Sequence, residues 1–335
     1  MALTAFFKKY LPLLVALDLG GSLWLGWSHP GWVPPRFLVP VLVFVMLYPM
    51  MINLRVEEMG RALRNPKVLA TALVVNFLVT PLLGALWAHL LFGRGDPYLL
   101  IGFILKVCVP GSAMAAAWTG YARGRVESAL VIVAWCLLLA IVFIPFWMWL
   151  LAGAYVRVDP FLMLQKVVLI VALPLAAGMA TRKFLVRRYG QERYRRLAPH
   201  FPAVSTLGML AMICVIIGNQ AEMILANLQG MWLVLLGMAT LYPLLFALAI
   251  AFSRLSHLPH GHCMALGYSV TAKNHAITIA LATAAFPGTL AVLPAAVAPM
   301  IQTPIMLLFL KLSDRIERFL RAGDTATTAG GKGKE

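Results

Sequence analysis

Leu105-Lys106-Val107-Cys108-Val109-Pro110-Gly111-Ser112-Ala113-Met114 lies at the centre of an apolar run extending over 97–121. A run of that length is long enough to cross a bilayer as a helix. Proline removes a helical hydrogen bond, and the adjacent glycine loosens the backbone further. The carbonyls freed by such a break cannot face lipid, so it is stable only where it is covered by protein or lines a watery cavity. The stretch therefore predicts a span interrupted near its middle. A second run, 262–286, carries Ser269-Val270-Thr271-Ala272-Lys273-Asn274-His275, which has no proline and is the most polar stretch inside any apolar run of the chain.

Working outward from these two runs, the rest of the chain has the same character. Sixty-one per cent of the 335 residues are hydrophobic and 12% are charged, whereas soluble domains are roughly a quarter charged. Apolar runs at 10–28, 37–54, 68–92, 97–121, 127–152, 160–181, 203–221, 230–253, 262–286 and 288–312 predict an all-α polytopic membrane protein of ten spans. No cleavage site follows Lys8 and Lys9, so the first run reads as a span and not as a signal peptide. The net charge of +16 is parcelled between the runs. It does not form one solvated basic face, and so argues against a nucleic-acid partner. With the N-terminus inside, 22 of the 28 Lys and Arg fall in inside segments, and Arg36, Arg94 and Arg157 fall outside. That bias predicts cytoplasmic N- and C-termini and an inner (plasma) membrane location.

The ten spans divide after the fifth, at the turn 153–159. Five is odd, so duplicated halves would face opposite ways across the membrane, as in many secondary transporters. The expected organisation is a first repeat at 1–152 and a second at 160–312, which includes a basic connection at 182–200 on the cytoplasmic surface. That connection mixes Arg with Phe, Leu and Tyr and suits contact with anionic lipid. The segment 313–335 is expected to be a cytoplasmic tail, disordered after Arg321 for want of large apolar residues.

Interruptions at matching places in two halves point to a midplane binding site. Lys273 is the sharpest residue there, more than about ten residues from either end of its span and too deep to snorkel. A lysine at mid-membrane costs roughly 2.5–3.5 kcal/mol on insertion scales and is a functional candidate by default. It could exchange a proton, replace a bound sodium ion or pair with an anionic substrate. Lys106, one turn before the first break, is a candidate to line the same site, whereas Lys166 is close enough to its span's outer end to snorkel. Asp18 is the single carboxylate deep inside a span and reads equally as a proton carrier or as scaffold. Pro110, Gly111, Ser112, Ser269, Thr271, Asn274 and Gln302 complete the proposed substrate or ion site with Asn76. Thr80, Thr119, His275, Thr278 and Thr303 are further polar groups of the same four spans; any one alone is more often a helix-packing hydrogen bond.

His257, His260, His262 and Cys263 read as a solvated cytoplasmic loop, since no metal-ligand geometry is defined. The four cysteines are scattered and have no metal or disulfide spacing. No paired acids or H-E-x-x-H motif occurs, which argues against an enzyme, and no cofactor is implied. A passive channel is the third class to weigh, and flux that persists without an ion gradient would favour it.

Three stretches carry a family likeness. Met46-Leu47-Tyr48-Pro49-Met50-Met51-Ile52-Asn53-Leu54-Arg55-Val56-Glu57-Glu58, followed by Val75-Asn76-Phe77 and Thr80-Pro81-Leu82, resembles the second and third spans of arsenite-efflux permeases. Val109-Pro110-Gly111-Ser112 with Tyr121-Ala122-Arg123-Gly124 resembles the broken fourth helix of bile acid:sodium symporters. Lys273-Asn274 with 277–284 resembles their ninth-helix crossover. The chain is thereby identified as a member of the bile acid/arsenite transporter superfamily. The resemblance implies a panel of spans 1, 2, 6 and 7, and a core of spans 3–5 and 8–10 in which broken helices 4 and 9 cross at the site. It also implies a secondary transporter of a small anion or an arsenite-like metalloid, coupled to protons or sodium; the sequence leaves monomer and homodimer both open. The alternative is a sodium-coupled organic-anion symporter. Ser269 and Lys273 stand where those symporters place a glutamate and a glutamine, so two sodium ligands are missing and a lysine takes the place of one.

Overall fold

The computed structural model describes residues 2–35, 37–53 and 66–330, with side chains over 10–35, 37–53 and 66–320. Arg36, Arg55, Arg61, Arg64, Lys332 and Lys334, which contribute to the orientation signal, lie outside the described residues, as do Leu54 to Glu58 of the likeness. The chain is an all-helical, polytopic membrane protein. Helix α1 runs over Ala2–Ser28 and α2 over Leu38–Ile52; α3, Pro66–Val74, passes through a π turn at Val75–Val79 into α4, Thr80–Phe92. Next come α5 (Pro97–Cys108), α6 (Met114–Tyr121) and α7 (Val126–Trp147), the last extended by a π turn at Met148–Ala152. α8 (Pro160–Val167) continues through a π turn at Val168–Ala172 into α9 (Leu173–Leu197), and α10 (His200–Asn219), α11 (Ala221–Leu225) and α12 (Leu228–Leu255) follow. α13 (His260–Thr271), α14 (His275–Ala285) and α15 (Leu293–Gly330) complete the order.

Among the described residues, seven helices are long and apolar enough to cross a membrane: Tyr10–Ser28, Pro66–Phe92, Val126–Ala152, Pro160–Leu197, His200–Asn219, Leu228–Leu255 and Leu290–Leu320. Leu38–Ile52, Pro97–Cys108 and His275–Ala285 are apolar but shorter. At 1.5 Å per residue, the 12 residues of α5 reach about 18 Å, which is short of the ~30 Å hydrocarbon layer. For α5 and α14 the reason is local: both runs read as interrupted spans are broken in the structure.

The helices pack in two groups. α1, α2, α9 and α10 lie against one another, and α4, α5, α6, α7, α12, α13 and α15 form the larger assembly. α14 is a bridge between them, touching α2 and α8 as well as α5 and α15. In lipid there is no hydrophobic drive between helices, so close backbone approach does this work. A Cβ on Gly26 would collide with the Gly218 carbonyl in the first group, and one on Gly102 with the Ala291 carbonyl in the second.

The π turn between α3 and α4 meets a specific need. Pro81 has no N–H to give to the Phe77 carbonyl four residues earlier, and the Trp147 indole N–H of α7 donates to that carbonyl at 2.7 Å. Thr80 satisfies Val75 in the same turn, its hydroxyl donating to the carbonyl at 2.7 Å.

Three expectations change. The basic connection does not begin at 182: α9 continues as helix to Gly190, where φ 79° and ψ 162° break it. Glycine tolerates that conformation without strain. Beyond the turn, Tyr194 is buried, with its hydroxyl within reach of the Ile52 carbonyl (3.1 Å) and Asn53 Oδ1 (3.2 Å), while Asn53 Nδ2 donates to the Ala198 carbonyl at 2.8 Å. The segment is thus pinned to the end of α2, with Arg188 and Arg193 over the Tyr189 ring. The tail expected to be disordered after Arg321 remains helical to Gly330 as an extension of α15. The histidine loop is also not a solvated loop throughout. Residues 260–263 form the first turn of α13, which buries His262 and Cys263, and Arg125 and Ser128 each sit 3.0 Å from a His262 ring nitrogen.

Candidate functional site

The two broken helices meet at their breaks. Pro110 disfavours helical geometry for the residue before it, and Val109 is extended at φ −69°, ψ 136°, which ends α5. The second break needs no proline. Ala272 (φ −77°, ψ 61°) sits at the centre of an inverse γ-turn, closed by the Lys273 N–H donating to the Thr271 carbonyl at 2.8 Å. Asn274 then opens α14, its Oδ1 accepting the Ile277 N–H at 3.1 Å as an N-cap.

Between the breaks, the two extended pieces run antiparallel and pair Gly111 with Lys273. Ser112 N–H donates to the Ala272 carbonyl at 2.8 Å and Asn274 N–H to the Pro110 carbonyl at 3.0 Å. These bonds satisfy backbone groups that each break would otherwise leave bare in the membrane. Gly111 is required by the close approach: a Cβ there would run into the Ser269 backbone, already 3.1 Å from its carbonyl carbon.

Two lysines are buried here. Lys273 is 1% exposed and its Nζ donates to Asn76 Oδ1 at 3.5 Å. Lys106 is fully buried, its Nζ 3.0 Å from His275 Nδ1. Asn76 sits in the π turn between α3 and α4 and its Nδ2 donates to the Ala72 carbonyl at 3.1 Å, which leaves Oδ1 for the lysine. Among the described residues, neither lysine has a carboxylate partner. The two amino groups are met by neutral groups alone, where a buried charge would ordinarily demand an ionic partner or ligand.

The other sequence-predicted residues separate by what their polar atoms do. The hydroxyls of Thr119, Thr271 and Thr278 each donate to the carbonyl four residues earlier in their own segment, at 2.7 Å. Asn274 is occupied as a cap, and its Nδ2 lies 3.7 Å from Met50 Sδ of α2. Among the described residues, buried Ser269 Oγ and Gln302 Oε1 have no hydrogen-bond partner. Gln302 stands one turn before Met306, whose sulfur accepts from the Thr271 hydroxyl at 3.6 Å. Ser112 and Thr303 are buried beside these elements. Asp18 is elsewhere: α1 packs chiefly on α10, α15 and α11, and its Oδ1 meets only the Ser22 hydroxyl at 3.4 Å. Lys166, on α8, is partly exposed. Sequence reasoning missed Met50 as a wall of the crossing and missed the pairing of Lys106 with His275, because no spacing rule links residues 169 positions apart.

Two broken helices that cross through their backbones, with buried lysines at the crossing, are the arrangement expected of a membrane transporter built from discontinuous helices. The chain belongs to the Sodium Bile acid symporter family, whose pattern matches residues 40–227. It is 27% identical to the arsenical-resistance protein Acr3 of Alkaliphilus metalliredigens over 92% of this chain and 93% of that protein. It is 25% identical to an uncharacterized transporter of Synechocystis over 91% of this chain and 88% of the relative. Similarity to a probable sodium/metabolite cotransporter, BASS3 of Arabidopsis thaliana, is 26% over 87% of this chain and 65% of that protein. The family and these relatives are transporters and not enzymes.

Proposed function

We propose that the chain is a secondary active transporter that moves a small anion or arsenite-like metalloid across the plasma membrane by alternating access, with Lys273 as its coupling residue. The observation that carries this reading is the pair of buried lysines, Lys106 and Lys273, at the crossing without a carboxylate partner. The amino ends of α6 and α14 open at the same place, and half-helix N-termini add positive potential that favours an anion. A metalloid cargo is supported by the likeness to the arsenical-resistance relative.

The ten-span architecture belongs to this proposal. Seven long helices, the shorter α2 and the two broken pairs α5–α6 and α13–α14 add up to ten crossings. Two inverted five-helix repeats follow from dividing them after α7. The group of α1, α2, α9 and α10 is then the panel, and the larger group is the core that rocks against it. Cytoplasmic termini follow from the distribution of Lys and Arg.

Everted membrane vesicles with radiolabelled arsenite, under a proton gradient, a sodium gradient or neither, test the reading. Proton-driven accumulation is the expected result. Sodium-driven accumulation, or none under any gradient, would instead favour a sodium-coupled organic-anion symporter. That second reading is supported by the family to which the chain belongs and by the sodium/metabolite relatives. The absence of a carboxylate beside Lys273 weighs against it.

A further inference from the structure

We infer that Lys106 and His275 together form a second proton-binding site of the core, separate from Lys273, in which one proton is shared across the two helix breaks. The assignment of that proton to a transport cycle rests on the reading above; the shared proton itself does not.

The geometry carries the inference. Lys106 is in the last turn of α5 and His275 is the first residue of α14, so each stands directly beside one of the two breaks. Their nitrogens are 3.0 Å apart. A nitrogen–nitrogen hydrogen bond needs a lone pair on one side, so a lysine ammonium can donate to a neutral imidazole, or an imidazole N–H to a neutral amine. Two cations cannot make it. The pair therefore holds either one excess proton or none, and the same contact survives in both states. Such a pair titrates as a unit and not as two independent residues. With an ordinary lysine–carboxylate pair, by contrast, losing the proton breaks the ionic contact.

The surroundings leave the proton to this pair. Lys273 is the charged group that bears on it electrostatically. Of the elements packed on α5 and α14, α7 brings the Cys136 thiol and, in its first turn, exposed Glu127; α4 brings His89, α8 brings partly exposed Lys166, and α12 brings Tyr242 and, in its last turn, exposed Arg254. The described part of α2 and residues 293–310 of α15 bring no charged group. The acid among these segments is Glu127, exposed in the first turn of α7, so no buried acid is placed to take the proton in their stead. Relative movement of α5 and α14 would break the 3.0 Å contact and force the proton onto one partner.

The test is a pH titration of the intact protein, labelled with 15N-histidine, in lipid nanodiscs without substrate. There are seven histidines, and His275 is identified by the signal lost in His275→Gln. The expected wild-type Nδ1 signal is that of a hydrogen-bonded nitrogen. In Lys106→Gln the amide can still donate to Nδ1 but cannot hold the proton, so the His275 titration should move by about one pH unit, a tenfold change in proton affinity. Lys106→Met serves as the second variant and should move it too. Superimposable His275 titrations with and without the lysine, or a wild-type Nδ1 with no hydrogen bond, would overturn the inference. Because no cargo is added, either result is independent of whether arsenite is transported.

Discussion

Replacing Gly111 by alanine strikes the crossing at its tightest point. The added Cβ would lie 3.1 Å from the Ser269 carbonyl carbon and 3.3 Å from its Cα, and nearer still to the oxygen. Carbon atoms settle at about 3.5–4.0 Å, so the two extended pieces must part by roughly 0.5–1 Å. The neighbours here are backbone and cannot rotate away. The same movement stretches the bonds from Ser112 N–H and Asn274 N–H, now 2.8 and 3.0 Å, beyond good hydrogen-bond length. Each buried group left unsatisfied costs about 1–3 kcal/mol, so the substitution should cost about 2–6 kcal/mol in all. It should also move Lys273 away from Asn76. The assay is thermal unfolding of the purified protein followed by size-exclusion chromatography, with gradient-driven arsenite uptake alongside. Gly20→Ala is the control, since nothing lies within 4 Å of a Cβ there. A Gly111→Ala protein with the wild-type midpoint and uptake would refute the claim that the crossing is held by this contact.

Trp147→Phe keeps an aromatic ring but orphans the Phe77 carbonyl that Pro81 leaves without a donor; a loss of about 1–3 kcal/mol should appear as a lower unfolding midpoint, and an unchanged midpoint would contradict that role. Asp18→Asn should leave uptake near the wild-type rate, because α1 packs away from the crossing; loss of uptake in that variant would place a proton carrier on α1.

Much of this architecture can be read from sequence because bilayer length and proline chemistry are strong, local constraints. The break at Pro110-Gly111 follows from two residues. The break at Ala272 was legible only through the polarity of its neighbours, since a γ-turn leaves no residue signature. The helix continuing from 182 to Gly190 was hidden because charge marks where the membrane ends, not where a helix does. Residues 260–263 looked like loop for the same reason: histidine and glycine are polar or flexible alone, and only packing against Arg125 and Ser128 shows that His262 is inside. Within the site, sequence located the spans that supply polar groups but could not tell ligand from scaffold. Thr119, Thr271 and Thr278 spend their hydroxyls on their own backbones, whereas the Ser269 hydroxyl and the Gln302 amide oxygen find no partner among the described residues. That distinction is set by rotamer and partner, which spacing does not encode.

The central claim is that Lys273 couples an ion gradient to movement of the cargo. The most direct measurement compares wild type and Lys273→Ala in proteoliposomes at matched protein density, reading arsenite accumulation with and without an imposed proton gradient. The account predicts gradient-driven accumulation by the wild type and none above the protein-free background for Lys273→Ala, with both proteins eluting as the same folded species. Wild-type accumulation by Lys273→Ala would contradict it.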